Sequence, residues 1–227
     1  MRAHGSHLRS ALGIFLASAI AVTATAGWAQ SSAPVTDKLA FEVLRKGKPI
    51  GTHTIAFMPN GDDLQVDIDI RLDVKFLMFN AYSYRHKNQE IWRDGRLVQI
   101  ETKTDDDGEN FFVNGRASNK GFKVNGSSGE AVAPATIIPT SYWDPDIVKQ
   151  DKLLNTQTGE LLEVSVAPGN ETEIVVGDRT VNARHYVMSG DLDLELWYDP
   201  AGTLKRIRFE ASDGSTIDYR AMLPGQG

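Results

Sequence analysis

Dipeptides that favour tight reversals recur along the chain, at Asn60-Gly61, Asp94-Gly95, Asp107-Gly108, Asn114-Gly115, Asn125-Gly126, Gly177-Asp178 and Asp213-Gly214, with Pro200-Ala201-Gly202 beside them. A chain turned back this often has little room for long helices, and the runs between the turns are of strand length. The clearest is Val66 to Phe76, where Val66, Ile68, Ile70, Leu72, Val74 and Phe76 alternate with Asp67, Asp69, Arg71, Asp73 and Lys75. Side chains alternate across a strand, so the first set faces a core and the second faces water.

Tyr82 to Trp92 alternates as well, with Tyr82, Tyr84, His86, Asn88, Glu90 and Trp92 on one face and Ser83, Arg85, Lys87, Gln89 and Ile91 on the other. The aromatic face is the expected interior. The following strand, Leu97 to Thr104, has Val98, Ile100, Thr102 and Thr104 on one face. A two-residue turn at Asp94-Gly95 would set that face beside Arg85 and Lys87. The expected connection is therefore a three-residue loop, Arg93-Asp94-Gly95, which pairs Trp92 with Arg96, Glu90 with Val98, Asn88 with Ile100, His86 with Thr102 and Tyr84 with Thr104.

Further strands are expected at 40–45, 50–58, 110–113, 121–124, 161–166, 171–176, 180–188, 192–198, 204–210 and 216–221. A helical pattern is confined to Asp144 to Leu154, with Pro145 in its first turn and Ile147, Val148, Leu153 and Leu154 as apolar points. The expected fold is all-β: a curved antiparallel sheet forming a partly or fully closed β-barrel with one short α-helix.

The N-terminus reads as an export signal. Arg2 and Arg9 precede the uncharged run Ala11 to Ala26, which is short and alanine-rich for a membrane span, and small residues follow at Gly27 and Ala29. Cleavage after Ala29 leaves a polar lead-in over 30–38, one domain over 39–223 and a short tail over 224–227. An uncleaved anchor with Trp28 at the membrane interface is the competing reading. The chain has no cysteine, which rules out a lipid-modified N-terminal cysteine, a thiolate metal site and a cysteine nucleophile.

Removing residues 1–29 changes the count from 24 basic and 30 acidic residues to 22 and 30, a net charge of −8. So acidic a domain is a poor partner for nucleic acid or an anionic membrane surface. The expected location is the periplasm or the extracellular space, with no integral membrane span after cleavage; a protein partner is left open.

The stretch Tyr84-Arg85-His86, Glu90-x-Trp92, Gly95-Arg96-Leu97, Thr104 and Asp106-Asp107-Gly108, followed by Pro139-Thr140-Ser141-x-Trp143 and Leu154-Asn155-x-x-x-Gly159, resembles a family of secreted bacterial proteins catalogued as a domain of unknown function. The resemblance spans Leu39 to Met222. It implies a curved antiparallel sheet closing towards a barrel with a helix across it, similar to periplasmic half-barrel or lipocalin-like proteins, and implies no activity, substrate or catalytic residue.

Candidate chemistry centres on the inner face of Tyr82 to Trp92. His53, His86 and His185 are the histidines of the mature chain. His86 and Glu90 resemble an acid/base pair, yet four residues along a strand separate them by about 13 Å at ~3.3 Å per residue, so a dyad would need a third group from a neighbouring strand. His185 shares a face with Val181, Ala183 and Val187 and reads as a satisfied core histidine that could meet His86 across a barrel. Asp105-Asp106-Asp107-Gly108-Glu109-Asn110 departs from an EF-hand loop in its glycine position and reads first as a solvated hairpin tip, with calcium binding as the alternative. Trp143 is either a residue at a cavity mouth beneath a helical lid or a plug in the barrel end.

No nucleophile elbow, zinc-protease helix, phosphate loop or dinucleotide fingerprint occurs, and neither cofactor nor metal is expected. The leading expectation is a binding or carrier module for an apolar or amphipathic small molecule, lipids included, held by Tyr82, Tyr84, His86, Glu90, Trp92, Thr102, Thr104 and Trp143. The alternatives are an envelope hydrolase or lyase using His86, Glu90 and Tyr84, and a structural or interaction module.

Overall fold

The computed structural model describes residues 37–76 and 79–223; the expected signal segment, most of the lead-in and the tail lie outside the described residues. Among the described residues, fifteen strands form one sheet: β1 Lys38–Arg45, β2 Lys48–Asn60, β3 Asp63–Phe76, β4 Phe79–Arg93, β5 Arg96–Asp106, β6 Glu109–Ser118, β7 Gly121–Gly126, β8 Gly129–Ala133, β9 Ile138–Pro139, β10 Lys152–Leu154, β11 Leu161–Val176, β12 Arg179–Gly190, β13 Leu194–Tyr198, β14 Leu204–Glu210 and β15 Thr216–Ala221. Hydrogen bonding runs in the order β8 to β1, then β15 to β9, so the first and last strands pair in the middle of the sheet. The β9–β10 pair is parallel and the other pairs of these strands are antiparallel. The fold is thus the expected curved antiparallel sheet, barrel-like but not closed by a strand ladder.

The sheet's two edges, β8 and β9, are neighbours in the chain. Where a ladder would close the barrel, the turn after β7 instead touches the loop before β11: Ser128 N–H donates to the Thr158 carbonyl at 2.9 Å, and a Cβ on Gly126 would strike that same carbonyl. Asn155 shapes the loop by accepting from the Gln157 N–H through its side chain, while the Gly159 N–H donates to its carbonyl. The Asn155-x-x-x-Gly159 pattern is therefore seam chemistry.

The inward alternation predicted for β3 and β4 holds. Val66, Ile68 and Leu72 are buried on β3, and His86, Asn88, Glu90 and Trp92 on β4. The predicted loop between β4 and β5 does not. Asp94 and Gly95 both have positive φ, 50° and 69°, so they make the two-residue turn whose twist matches that of the strands, and Arg93 pairs with Arg96. Trp92 then opposes Leu97, and Val98 is an extra residue in a β-bulge, so that Ile91 meets Gln99, Glu90 meets Ile100, Asn88 meets Thr102 and His86 meets Thr104. Turn and bulge together bury Leu97, Ile100, Thr102 and Thr104 without placing Val98 inside.

Other expectations are corrected by packing. Asn114-Gly115 is not a turn but the middle of β6, where the absent Cβ makes room for the Phe122 ring; a Cβ there would overlap the ring edge. The predicted segments at 161–166 and 171–176 are one strand, β11, irregular between Pro168 and Glu171. The predicted α-helix over Asp144–Leu154 is a 3-10 turn over Pro145–Lys149 followed by strand β10. Its apolar points are spread over two elements because Leu153 and Leu154 pair with β11.

Gly51, beside the irregularity in the β1–β2 pairing, supports a packing prediction. A Cβ there would overlap the Arg71 carbonyl oxygen and lie 2.9 Å from the Leu72 Cα, both main-chain atoms of β3. Gly51→Ala is expected to cost on the order of 3 kcal/mol or more. Gly47→Ala, at φ 77° with open space around it, is expected to cost about 1 kcal/mol. Urea unfolding of the two variants checks the contrast, and equal losses would contradict this packing.

Candidate functional site

The inner face of β4 steps from the barrel rim to its base: Tyr82, Tyr84, His86, Asn88, Glu90, Trp92. Glu90 is fully buried. Its Oε1 accepts from Asn88 Nδ2 at 2.8 Å, and its Oε2 accepts from Trp92 Nε1 at 2.9 Å and Trp143 Nε1 at 3.0 Å. The Ser141 side chain supplies a further hydrogen bond. Asn88 and Trp92 sit two residues to either side on the same face, which is why both reach the carboxylate. Burial pushes the Glu90 pKa above the ordinary range, and the hydrogen bonds pull it back only in part.

Ser141 and Trp143 come from the segment between β9 and β10, which crosses the base of the barrel. Trp143 packs edge-on against Trp92 at 5.1 Å and Phe57 at 5.4 Å, while Tyr198 on β13 donates to the Tyr142 carbonyl at 2.7 Å. Tyr142 itself has φ 62°, a left-handed conformation that costs a non-glycine residue energy. Its two chain neighbours go to Glu90 while it lines the space above. Trp143, 2% exposed, is therefore the plug of the barrel end and not a mouth residue.

Above this base lies a cavity of about 530 Å³. Ile68, Ile70 and Leu72 form one wall, and Leu194, Ile207 and Phe209 face them from β13 and β14. His53 on β2, Ile70 on β3 and His86 on β4 are partners in one row across the sheet. His53 is wedged between Phe41 at 5.5 Å and Tyr219 at 5.7 Å. Its two ring nitrogens and the Asn88 Oδ1 find no hydrogen-bond partner among the described residues, although both side chains belong to residues at most 3% exposed. Such groups are expensive to leave unpaired.

His86 Nδ1 lies 2.8 Å from Thr104 Oγ1, and the ring stacks on Tyr84. Desolvation lowers the His86 pKa to about 4. Desolvation, reinforced by nearby His86, lowers that of His53 to about 3. Both imidazoles are neutral at pH 7. At the rim, Tyr82 donates to Asp106 Oδ1 at 2.7 Å, Gln157 donates to Asp106 Oδ2 at 3.1 Å, and Tyr84 donates to Gln157 Oε1 at 3.1 Å. This chain of bonds ties the seam loop to β4 and β5 across the opening.

Of the residues expected to form a site, Tyr82, Tyr84 and His86 line the cavity, and Thr104 stands behind His86. Glu90, Trp92, Thr102 and Trp143 belong to the packed base. The His86–Glu90 pair does not form: Glu90 oxygens are taken by Asn88, Trp92 and Trp143, and His86 turns to Thr104. His185 is not opposite His86 but on the outer surface, stacked on Trp197 at 4.5 Å with its Nε2 2.7 Å from Glu195. The histidine that shares the cavity with His86 is His53.

His53, Asn88, Asp106 and Gln157 join the site from outside the expected set. His53 was legible in principle, since it shares an alternating face with Ile55 and Phe57. The role of Gln157 was not, because it depends on the seam. The hairpin tip at Asp105–Asn110 is a turn in which Asp105 accepts from the Gly108 N–H, and among the described residues no cluster of three metal-ligating side chains occurs.

Two measurements test this description. Glu90→Gln places an amide N–H₂ among hydrogen-bond donors and is expected to cost about 3 kcal/mol in urea unfolding. The histidines are bases whose folded-state pKa is depressed, so their contribution is complete above pH ~6.5 and is lost as pH falls towards 4 and 3. Between about pH 7.5 and 5 this amounts to about 2 kcal/mol for His53. His53→Phe is expected to flatten the pH dependence of stability by that amount, and an unchanged slope would mean that His53 is not desolvated as described.

The chain matches no curated protein. It resembles the crystal structure of a β-barrel-like protein of the domain of unknown function DUF1849 from Brucella abortus, with a TM-score of 0.56 and 9% identity over 81% of this chain and 94% of that one, a likeness of fold. The family described as domain of unknown function DUF6134 matches residues 41–222, from the first strand to the residue after the last, and the chain belongs to that family.

Proposed function

We propose that this protein is an exported binding or carrier protein that holds an apolar or amphipathic small molecule inside its half-open barrel. The observation that carries the reading is the cavity of about 530 Å³, walled by aliphatic and aromatic side chains and lined as well by the polar side chains of Tyr82, Tyr84, His86 and Gln157. Ligand pockets run from about 300 to 1,000 Å³ and combine apolar walls with a few convergent polar groups. A barrel filled by its own side chains would leave no such space.

Export rests on the N-terminal sequence: two arginines, the apolar run Ala11 to Ala26 and the small residues before Gln30. It fits a role in sequestering apolar compounds outside the cytoplasm. The expected mature chain begins at Gln30.

Native mass spectrometry of the protein recovered from the envelope fraction tests both parts. The expected result is a chain starting at Gln30 that carries a non-covalent mass. Ile70→Trp, which fills the cavity from β3, is expected to lose that mass while keeping the β-sheet circular dichroism. Recovery of the protein from the cytoplasm with residues 1–29 attached would end the export reading, and a wild-type protein that carries and takes up no apolar compound would end the binding one.

A further inference from the structure

The segment that runs from β9 to the start of β11 is held together as one body by its own hydrogen bonds. Thr140 N–H donates to the Leu154 carbonyl at 2.9 Å and Thr156 N–H donates to Thr140 Oγ1 at 3.1 Å, which joins the crossing segment to the seam loop. The loop also closes on itself, with Asn155 N–H on the Glu160 carbonyl at 2.9 Å and Gly159 N–H on the Asn155 carbonyl at 2.9 Å. Its shape therefore does not depend on the strands across the seam. β10 attaches this body to β11, and Trp143 Nε1 fixes it to Glu90 at the base of the barrel.

Above the base, three hydrogen bonds among the described residues join the loop to β4–β8: Ser128 N–H to the Thr158 carbonyl at 2.9 Å, Gln157 Nε2 to Asp106 Oδ2 at 3.1 Å, and Tyr84 Oη to Gln157 Oε1 at 3.1 Å. Two of the three run through one side chain, Gln157. Beside them Gly126 meets Gly159 main chain on main chain: a Cβ on Gly126 would lie 2.9 Å from the Gly159 Cα, and a Cβ on Gly159 would lie 3.0 Å from the Gly126 Cα. Neither residue has a side chain to interlock there, so parting the two uncovers little apolar surface, and water can replace the three hydrogen bonds at a small net cost. Asn155, Thr156 and Gln157 of the same loop line the cavity. A movement that separates Gln157 from Asp106 and Tyr84 thus widens the opening of the cavity itself.

We propose that residues 155–160 form a gate, turning about the Glu90 base to admit and release the ligand, with the Gln157 side chain as its latch. This rests on the proposed binding function and adds to it the route of entry and the part that moves. The base stays shut because Glu90 is fully buried and bonded to several donors, whereas the latch is a part-buried amide close to water.

The chain has no cysteine, so Ser128→Cys with Thr158→Cys introduces its only thiols, which a short bis-methanethiosulfonate reagent can bridge. The probe is N-phenylnaphthylamine, an uncharged apolar fluorophore, followed by stopped flow on the full mature chain. Bridging is expected to slow both association and dissociation at least about tenfold with Kd within about twofold, and a reductant is expected to restore the rates. Gln157→Ala is expected to speed both rates about tenfold, and Tyr84→Phe, which removes one of the two latch bonds, about threefold. Faster dissociation with unchanged association would make Gln157 a ligand contact and overturn the latch. A bridged protein that exchanges the probe as fast as its reduced form overturns the gate and leaves a binding protein in place. Hydrogen exchange reads the seam without any ligand: the Ser128 amide is expected to exchange faster in Gln157→Ala, with the Val124 and Ala131 amides of the β7–β8 pair unchanged. If the wild type takes up no probe, the binding function falls, and an unchanged Ser128 amide overturns the opening of the seam.

Discussion

The base of this protein's interior depends on one fully buried carboxyl group, that of Glu90. Glu90 collects donors from its own strand, through Asn88 and Trp92, and from the crossing segment, through Ser141 and Trp143. None of these partners is a cation, so the carboxyl group is held by oriented N–H and O–H dipoles alone. Leaving a buried polar group without its partner costs about 1–3 kcal/mol, which makes these bonds a constraint on where the crossing segment sits. The apolar contacts of Trp143 with Phe57 and Trp92 could be satisfied in several orientations; the indole N–H to Glu90 selects one.

Once the base is set, the space above it follows. Ser141 and Trp143 are drawn down to Glu90, and Tyr142 between them is held in a left-handed conformation with its carbonyl tied to Tyr198. The strain is sustained because both neighbours are over-determined. The base thereby ends abruptly at Asn88, where packed core gives way to cavity and an unpaired acceptor occurs. At the other end, the seam loop joins Gln157 to Asp106 and Tyr84, so the opening is bounded by hydrogen bonds that can break singly, not by a strand ladder.

Much of the sheet was legible from residue order. Val66 to Phe76 and Tyr82 to Trp92 alternate with a period of two, and burial of one face follows directly from that period. The register between β4 and β5 was not, because two small irregularities compensate each other: the two-residue turn at Asp94-Gly95 puts Leu97 inside, and the bulge at Val98 returns Ile100, Thr102 and Thr104 to the same face. A turn alone would have been wrong for the strand, and a three-residue loop was wrong for the turn. The short helix was misjudged for a related reason. Leu153 and Leu154 fit a helical spacing with Ile147 and Val148, but they are held by pairing with β11, a contact that helical periodicity does not encode.

By itself, then, the order of residues determined the class of fold, the inward face of the central strands and the apolar N-terminal segment, since each depends on local periodicity or composition. Tertiary structure decided which inward residues are core and which are cavity. Glu90, Trp92 and Asn88 share one strand face, yet the first two are sealed by Trp143 while Asn88 is left with a free acceptor, because the sealing residue arrives 53 positions along the chain from Glu90. Strand order likewise decided which histidine meets His86. β2 and β4 flank β3, which sets His53 and His86 on either side of Ile70, whereas His185 lies on the outer face of β12 against Trp197.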